Sequence, residues 1–440
     1  MANAMVDPAV GEGEGAALGA PPVSPELDEL DRILRDELIS MVYQPIVSLL
    51  DDSVVGYEAL ARGPVQSALS EPAAMFGTAA KHGRLKELDI ACQTQAIVQA
   101  REVLTTSGHA LFVNVEPELA LDAAFGRDAA AQASLENLLH GVNQACPVVL
   151  ELSDMYRYES PAEMIHLVTW ARSMGFRIAI DDVGIEAPSL SLLPLLEPDV
   201  VKLSRSLLLS GPSADLGRVA SVVRAQAERT GAAVVSTGIE SIRDREFALA
   251  LGATHAQGYA IGLPTELTAA PLRIRSLEPV RASYPERAMS PFQLVADRGE
   301  VRTGPRRVIH ALSQDLEREA VRQGEACVLA TFDRGSTFGG ATRRRFEALA
   351  RSCRFVCAVG PRVPEVPGVG VFGGEVEPGD AIGSEWGLVV LAPHFSAALL
   401  GRPVDEVDGE RHYKFALSYD RDIATRAARL ILAKLDVDFI

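Results

Sequence analysis

The chain has 440 residues, 48% of them hydrophobic and 23% charged, and carries a formal net charge of −17. The length admits two or three domains, and the composition is that of an ordinary soluble globular protein with ample apolar material for a core. The negative balance argues against non-specific nucleic-acid or anionic-membrane binding, which need a positive face, and no apolar run approaches the roughly 18 residues of a membrane helix.

Residues 1–24 are rich in Gly, Ala, Pro and acids, without periodicity, and read as a disordered lead. They lack the basic and apolar regions of a signal peptide, so a cytoplasmic protein is the simplest reading. Ser24 and Pro25 suit the N-cap and first position of a helix. Its apolar stripe is Leu27, Leu30, Leu34 and Leu38.

From Met41 to about Gly262, short apolar strands alternate with Ala/Leu-rich helical segments such as "KELDIACQTQAIVQAREVL". The strand candidates are "MVYQPIVSL", "VVGYEALA", "ALFVNVE", "PVVLELS", "RIAIDD", "VVKLS", "AVVSTG" and "ATHAQGYAIG". Alternation of this kind implies parallel βα units, and eight of them suggest a barrel. Only "LDDS" joins the first two strands, too short for a crossover helix, so they are expected as antiparallel neighbours. The expected fold is therefore α/β: an irregular (β/α)8 TIM-type barrel with an antiparallel first strand, over residues 25–275. Residues 276–305 mix Pro, Arg and Glu and read as a linker. Residues 306–440 read as a smaller α/β or α+β domain.

The five cysteines are scattered and include no C-x-x-C pair, which argues against a disulfide framework or a structural zinc site. Cys353 and Cys357 either share a strand face as a redox pair or are two buried thiols, and the second reading is preferred. The eight histidines, His255 and His394 among them, form no H-E-x-x-H pattern.

Chemistry in such barrels gathers at the C-terminal ends of the strands. The polar residues expected there are Glu58, Asn114, Glu151, Asp181, Asp182, Lys202 and Glu240, from six strands. Any one acid taken alone reads as an N-cap of the next helix, and Lys202 alone as a solvated lysine. Their conjunction in an otherwise apolar pattern is what capping does not explain. Carboxylates gathered in one mouth repel unless cations sit among them. All-oxygen donors suit Mg2+ or Mn2+ rather than zinc. A bend at Asp181-Asp182 would let Asp181 bridge two ions while Asp182 reaches the second, the clamp used for in-line displacement at phosphorus. Lys202 would orient the attacking water or stabilise developing charge.

The motifs "YQPIVSL…GYEALARG", "FVNVEP", "LELSD", "IAIDDVG", "VVKL", "GIES" and "AQGYAIGLP" stand in the order and spacing of the EAL domain, which this region resembles. The resemblance implies a phosphodiesterase that opens cyclic di-GMP to linear pGpG. It assigns Glu58, Asn114, Glu151 and Asp181 to a first metal, and Asp182 with Asp181 to part of a second. Lys202 and Glu240 become catalytic candidates, and Gln44, Arg62 and Gln257 ligand-contact candidates. Arg62 suits a phosphate because its fork bonds two oxygens at once. The second unit, through "HALSQDLEREA", "ATRRRFEALA", "SEWGLVVLAPHFSAALL" and "YDRDIATRAARLI", resembles the DICT domain, a sensory module.

Departures from the EAL pattern are concentrated. Its A-E-G-V-E is Ser236-Thr237-Gly238-Ile239-Glu240, its K-I-D is Lys202-Leu203-Ser204, and its E-L-T-E is Glu151-Leu152-Ser153-Asp154. The loop "DDVGIEAPSL" loses the pattern after Gly184. A hydroxyl at Thr237 adds no negative charge to offset a cation and takes no proton from water at neutral pH. Losing a general base costs about 10²–10⁴ in rate. The partners implied are cyclic di-GMP, a second copy through the barrel, and an unknown signal at the DICT-like unit. Three readings stand at this point: a cyclic di-GMP binder with hydrolysis weakened or lost, a working phosphodiesterase regulated by the DICT-like unit, and a protein-interaction scaffold.

Overall fold

The computed structural model describes residues 25–141, 146–153, 160–184, 188–209, 214–267, 290–297, 300–333, 338–377, 379–407 and 410–435. Ser24, Asp154 and the lead over residues 1–24 lie outside them. Helix α1 (Pro25–Arg35) precedes β1 (Ser40–Ser48), β2 (Val54–Arg62), α2 (Pro72–Lys81) and α3 (Leu85–Ser107). The alternation continues with β3 (Ala110–Val115), α4 (Pro117–Ala124), α5 (Ala129–Gly141), β4 (Val148–Leu152), α6 (Pro161–Met174) and β5 (Arg177–Val183). Next come α7 (Pro188–Leu196), β6 (Val200–Leu203), α8 (Arg205–Leu209), α9 (Ala214–Thr230), β7 (Ala233–Ser236), α10 (Ile242–Ala250) and β8 (His255–Ala256).

These eight strands close into a barrel. β1 is antiparallel to both neighbours, β2 and β8, as the short connection requires, and the remaining neighbours are parallel. Period-two alternation turns Ile46, Phe112, Val149, Ala179, Val200 and Val235 into one buried cluster inside the barrel. The opposite faces of the strands pack against the surrounding helices. Gly56 belongs to the inner layer because a Cβ there would stand 2.9 Å from the Phe112 ring.

The last expected strand, "ATHAQGYAIG", contracts to His255–Ala256. Beyond it the chain turns at Gly258, whose φ is +154°. Its neighbours bond the segment after β7: the Ile239 amide donates to the Gln257 carbonyl (3.0 Å) and the Ala260 amide to the Ile239 carbonyl (2.9 Å).

The second unit comprises α11 (Pro291–Ala296), β9 (Arg302–Pro305), α12 (Arg306–Gln323), β10 (Cys327–Thr331), α13 (Gly340–Ala350), β11 (Phe355–Gly360), β12 (Phe372–Glu375), β13 (Trp386–Leu391), β14 (Ser396–Val407), β15 (Glu410–Ser418) and α14 (Arg421–Leu432). Its sheet runs β12-β11-β10-β13-β14-β15-β9. β10, β11 and β12 are parallel and the other pairings antiparallel. The part of residues 276–305 that is described is not simply linker: it supplies α11 and the edge strand β9. β10, β11 and β13 are buried along their whole length, as strands covered on both faces must be. One face packs α12 and α13. The other carries α11 and α14, and its apolar side chains run without a break into the cluster around the barrel. Cys353 lies before β11 and Cys357 within it, so they do not share a strand face, and all five cysteines are free thiols. Among the described residues, no helix is long and apolar enough to cross a membrane.

A Cβ at Gly258 would fall 2.2 Å from the Ile239 amide nitrogen and 2.3 Å from its carbonyl oxygen. Gly258→Ala is expected to cost about 2 kcal/mol or more, through backbone strain and displacement of the Ile239 segment. Chemical denaturation of the two proteins measures it, and equal midpoints would show that the turn can relax.

Candidate functional site

A polar tier stands directly above the apolar layer of the barrel. Two residues along each strand from that layer come Gln44 above Ile46, Glu58 above Gly56, Asn114 above Phe112 and Glu151 above Val149. Asp181 stands above Ala179, Lys202 above Val200 and Thr237 above Val235. Side chains two apart on a strand share a face, so the tier follows from the pleat. The register supports it: Gln44 is opposite Glu58, and Asn114 is opposite Glu151.

Lys202 is the centre of the tier and is only 1% exposed. Its ammonium donates to Glu151 Oε2 (2.7 Å), Glu58 Oε2 (3.0 Å) and Asp181 Oδ2 (3.4 Å). Burial opposes its charge, but three carboxylates outweigh that and hold the lysine well above its ordinary pKa. Glu58 is buried too, yet Lys202 and the amides of Gln257 and Asn114 bring its pKa below the usual value. Asn114 Nδ2 donates to Glu58 Oε1 (3.0 Å), and Gln257 Nε2 to Glu58 Oε2 (2.7 Å) and Gln44 Oε1 (3.1 Å). Glu151 goes the other way. Complete burial, then the charge of Glu58, pushes its carboxyl well above the ordinary range, and the ammonium only partly offsets them.

Asp182 follows Asp181 at φ +53°, with a break in register between Ile180 and Val183. The bend expected at this pair is therefore present, and the Asp182 amide donates to Asp181 Oδ1 (2.8 Å). Asp182 is exposed while Asp181 is half-buried. Arg62 shares the face of Glu58 four residues further along β2, and its guanidinium donates to the Ala61 carbonyl at the rim (2.8 Å).

The two substituted positions are turned into the framework. Thr237 donates twice to the Leu203 carbonyl of β6, from its amide (3.1 Å) and from Oγ1 (2.9 Å). Ser204 is buried and its Oγ accepts from the Ser206 amide (3.3 Å) and hydroxyl (3.1 Å). Glu240 keeps its place in the wall but is half-exposed and paired with Arg205 at 2.7 Å.

A cavity of about 280 Å³ opens over the tier, lined among others by Gln44, Asp181, Lys202, Thr237, Glu240 and Gln257. A second of about 670 Å³ shares Glu58, Asp181 and Asp182 with it and continues past Asn114 to α3. Arg205 and α3's Asp89 are the wall residues that the strand-end pattern misses. Asp89 is buried, accepts from the Glu116 amide and Gln93 Nε2 (both 3.0 Å), and is pushed by burial up to about 7. An acid on the apolar face of "KELDIACQTQA" was the available signal.

Among the described residues, no three His, Cys, Asp or Glu side chains are already gathered as a ligand set, because Lys202 stands between the acids. The donors nevertheless suit a hard cation. Glu58, Glu151 and Asp181 offer carboxylate oxygens, and Glu151 Oε1 is a buried atom without a hydrogen-bond partner. Thr237 offers no carboxylate oxygen, and its hydroxyl donates to the Leu203 carbonyl.

A family model of the EAL domain matches residues 27–264, more than half of the chain. The chain belongs to the EAL domain family. A second model, described as a sensory domain in diguanylate cyclases and two-component systems, matches residues 305–403. This EAL chain is 29% identical over 250 residues to the cyclic di-GMP phosphodiesterase NbdA of Pseudomonas aeruginosa, covering 55% of this chain and 31% of that protein. It is 26% identical over 242 residues to the EAL-domain protein YkuI of Bacillus subtilis, covering 54% and 58% respectively. The chain thus spans less than two thirds of either relative. The solved PaMucR phosphodiesterase in complex with c-di-GMP is 26% identical, with a TM-score of 0.47 over 55% of this chain and 98% of that one.

Lys202→Met leaves buried carboxylates without a counter-charge. The expected loss is about 3–5 kcal/mol at pH 8. The sign with pH follows from the shifts. The raised Lys202 keeps its stabilisation below the ordinary lysine pKa, so wild type holds it throughout pH 5–8. The variant regains stability toward pH 5, where the acids take up protons. Denaturant titrations at pH 5 and 8 measure this, and an equal loss at both would contradict the charge-balance account.

Proposed function

We propose that this EAL protein binds cyclic di-GMP in the barrel mouth and hydrolyses it weakly or not at all. The observation that carries the reading is the orientation of Thr237, whose hydroxyl is bonded to the Leu203 carbonyl at 2.9 Å. The position two residues above the apolar layer carries an acid on β2, β4 and β5 but a neutral, backbone-bonded side chain here. Ser204 is likewise held by Ser206.

A divalent ion, when bound, would polarise a phosphoryl oxygen and lower the pKa of water. Glu58, Asn114, Glu151 and Asp181 are the residues offered for it, with Mg2+ or Mn2+ the hard cations such donors suit. For a second ion only Asp181 and Asp182 remain. Gln44 and Gln257 orient the ligand through their amides, and Arg62 at the rim suits a phosphate. Lys202 supplies a fixed positive charge beneath the phosphoryl group and is placed to orient water. No acid at Thr237 accepts that water's proton.

The competing reading, a working phosphodiesterase under control of the DICT unit, draws on Glu240, which lines the cavity beside Thr237. Its carboxylate is half-exposed and paired with Arg205 at 2.7 Å, which is why the binding reading is preferred.

Purified protein with Mg2+ or Mn2+ is expected to bind cyclic di-GMP in calorimetry and to form pGpG about 10²–10⁴-fold more slowly than an ordinary member of the family. Thr237→Glu combined with Ser204→Asp is expected to raise turnover. Steady turnover of about 10 per second by the natural sequence would favour the working enzyme. Neither binding nor turnover would leave a scaffold.

A further inference from the structure

Helix α7 joins the two strands that carry the central ion pairs, β5 with Asp181 and β6 with Lys202. It is apolar on every side: Leu190, Leu192, Leu193, Leu195 and Leu196 are no more than 2% exposed. Such a helix needs cover on every side. α6 and α9 of the barrel provide part of it, and α14, the last helix of the second unit, provides the rest. Ser191 of α7 also donates from its hydroxyl to the Glu325 carbonyl of the second unit.

The end of α7 is pinned by charge. Glu197 is fully buried and sits at φ +45°, an unusual conformation for a side-chain-bearing residue. One carboxylate oxygen accepts from Arg229 of α9 (2.7 Å), the other from Arg429 of α14 (3.1 Å). Arg429 also bonds the Leu195 carbonyl (2.9 Å). Two residues on, Asp199 accepts from the Ile178 amide (3.0 Å) and from Arg172 (3.3 Å), while its own amide donates to the Ile178 carbonyl (2.8 Å). A guanidinium of the second unit is thus three bonded steps from the strands whose far ends hold Asp181 and Lys202.

We infer that the second unit holds the polar tier in shape through α7, with Glu197 as the positioning residue and Arg429 as its partner. The chain from Asp181 to Lys202 has both ends in the tier and its middle in the seam. Loosening the seam frees both ends together. This extends the proposed cyclic di-GMP binding only where ligand affinity is the readout; the mechanical link stands apart from it.

Hydrogen exchange on the full chain tests the link. Arg429→Met removes the guanidinium that the second unit places on the buried Glu197 carboxylate and is expected to speed exchange in α7 and β6 on the order of a hundredfold, with β2 and β3 unchanged. Ser191→Ala, which removes one seam hydrogen bond and no charge, is expected to speed α7 and β6 about three- to tenfold, and decides the matter if Arg429→Met does not fold. A double Arg429→Met, Glu197→Met variant is expected to keep exchange in α7 and β6 fast, since the positioning residue and its partner are both gone. A return to wild-type exchange would show that the single variant acts only through an unpaired buried charge, and would overturn the role given to Glu197. In calorimetry, Arg429→Met should weaken cyclic di-GMP binding about tenfold or more, tracking the exchange change. Faster exchange confined to α14 and the second sheet, with α7 and β6 as in wild type, would overturn the inference. Absence of cyclic di-GMP binding by the natural sequence would instead count against the proposed function, leaving the exchange result to decide the link.

Discussion

One buried ammonium balances three carboxylates at the mouth of the barrel, and most of the site's arrangement depends on it. Without Lys202, Glu58, Glu151 and Asp181 would gather in a low-dielectric space with no counter-charge, a cost of several kcal/mol per ion. With it, Glu58 stays ionised, the rise that burial and the Glu58 charge impose on Glu151 is partly offset, and the amides of Asn114, Gln44 and Gln257 are drawn into one network. A divalent ion held by Glu58, Glu151 and Asp181 would share these oxygens with the ammonium, so Lys202 would set the site's affinity for it.

Much of this was legible in the sequence, because the pleat imposes a simple rule. Strand ends of the form apolar-x-polar placed Glu58, Asn114, Glu151, Asp181 and Lys202 on one face, and the short connection after β1 required an antiparallel start. The bend at Asp181-Asp182 also followed from two adjacent acids serving one mouth. What stayed hidden depends on long-range geometry. The strand-like run around Gln257 collapsed to two residues because Gly258 turns against Ile239. α11 and β9 occupied sequence without periodicity, since a six-residue helix and a four-residue edge strand are too short to show any. Arg205 and Asp89 enter the wall from helices, where strand-end reasoning does not look.

The altered residues and the seam between the units describe one protein with two unequal halves of a site. On the β2–β5 side, acids and amides of the tier are present and interlinked. On the β6–β7 side, Thr237 and Ser204 are neutral and bonded into the framework, and β6 is also one of the two strands joined by α7, through which the second unit grips the barrel. Under the proposed binding reading, an EAL barrel whose scaffold is tied to a second unit is suited to reporting occupancy. The coupling would then run through strand position, and not through turnover.

The number of metal ions held in the presence of ligand bears most directly on this account. Titrating Mn2+ into the protein saturated with cyclic di-GMP, with free Mn2+ followed by electron paramagnetic resonance, counts them. One tightly held ion per chain, with a second bound at least about a hundredfold more weakly, is the expected result for a site lacking one anionic ligand. Two ions bound with equal affinity would show that Thr237 and Ser204 leave the second position intact, and would contradict the account.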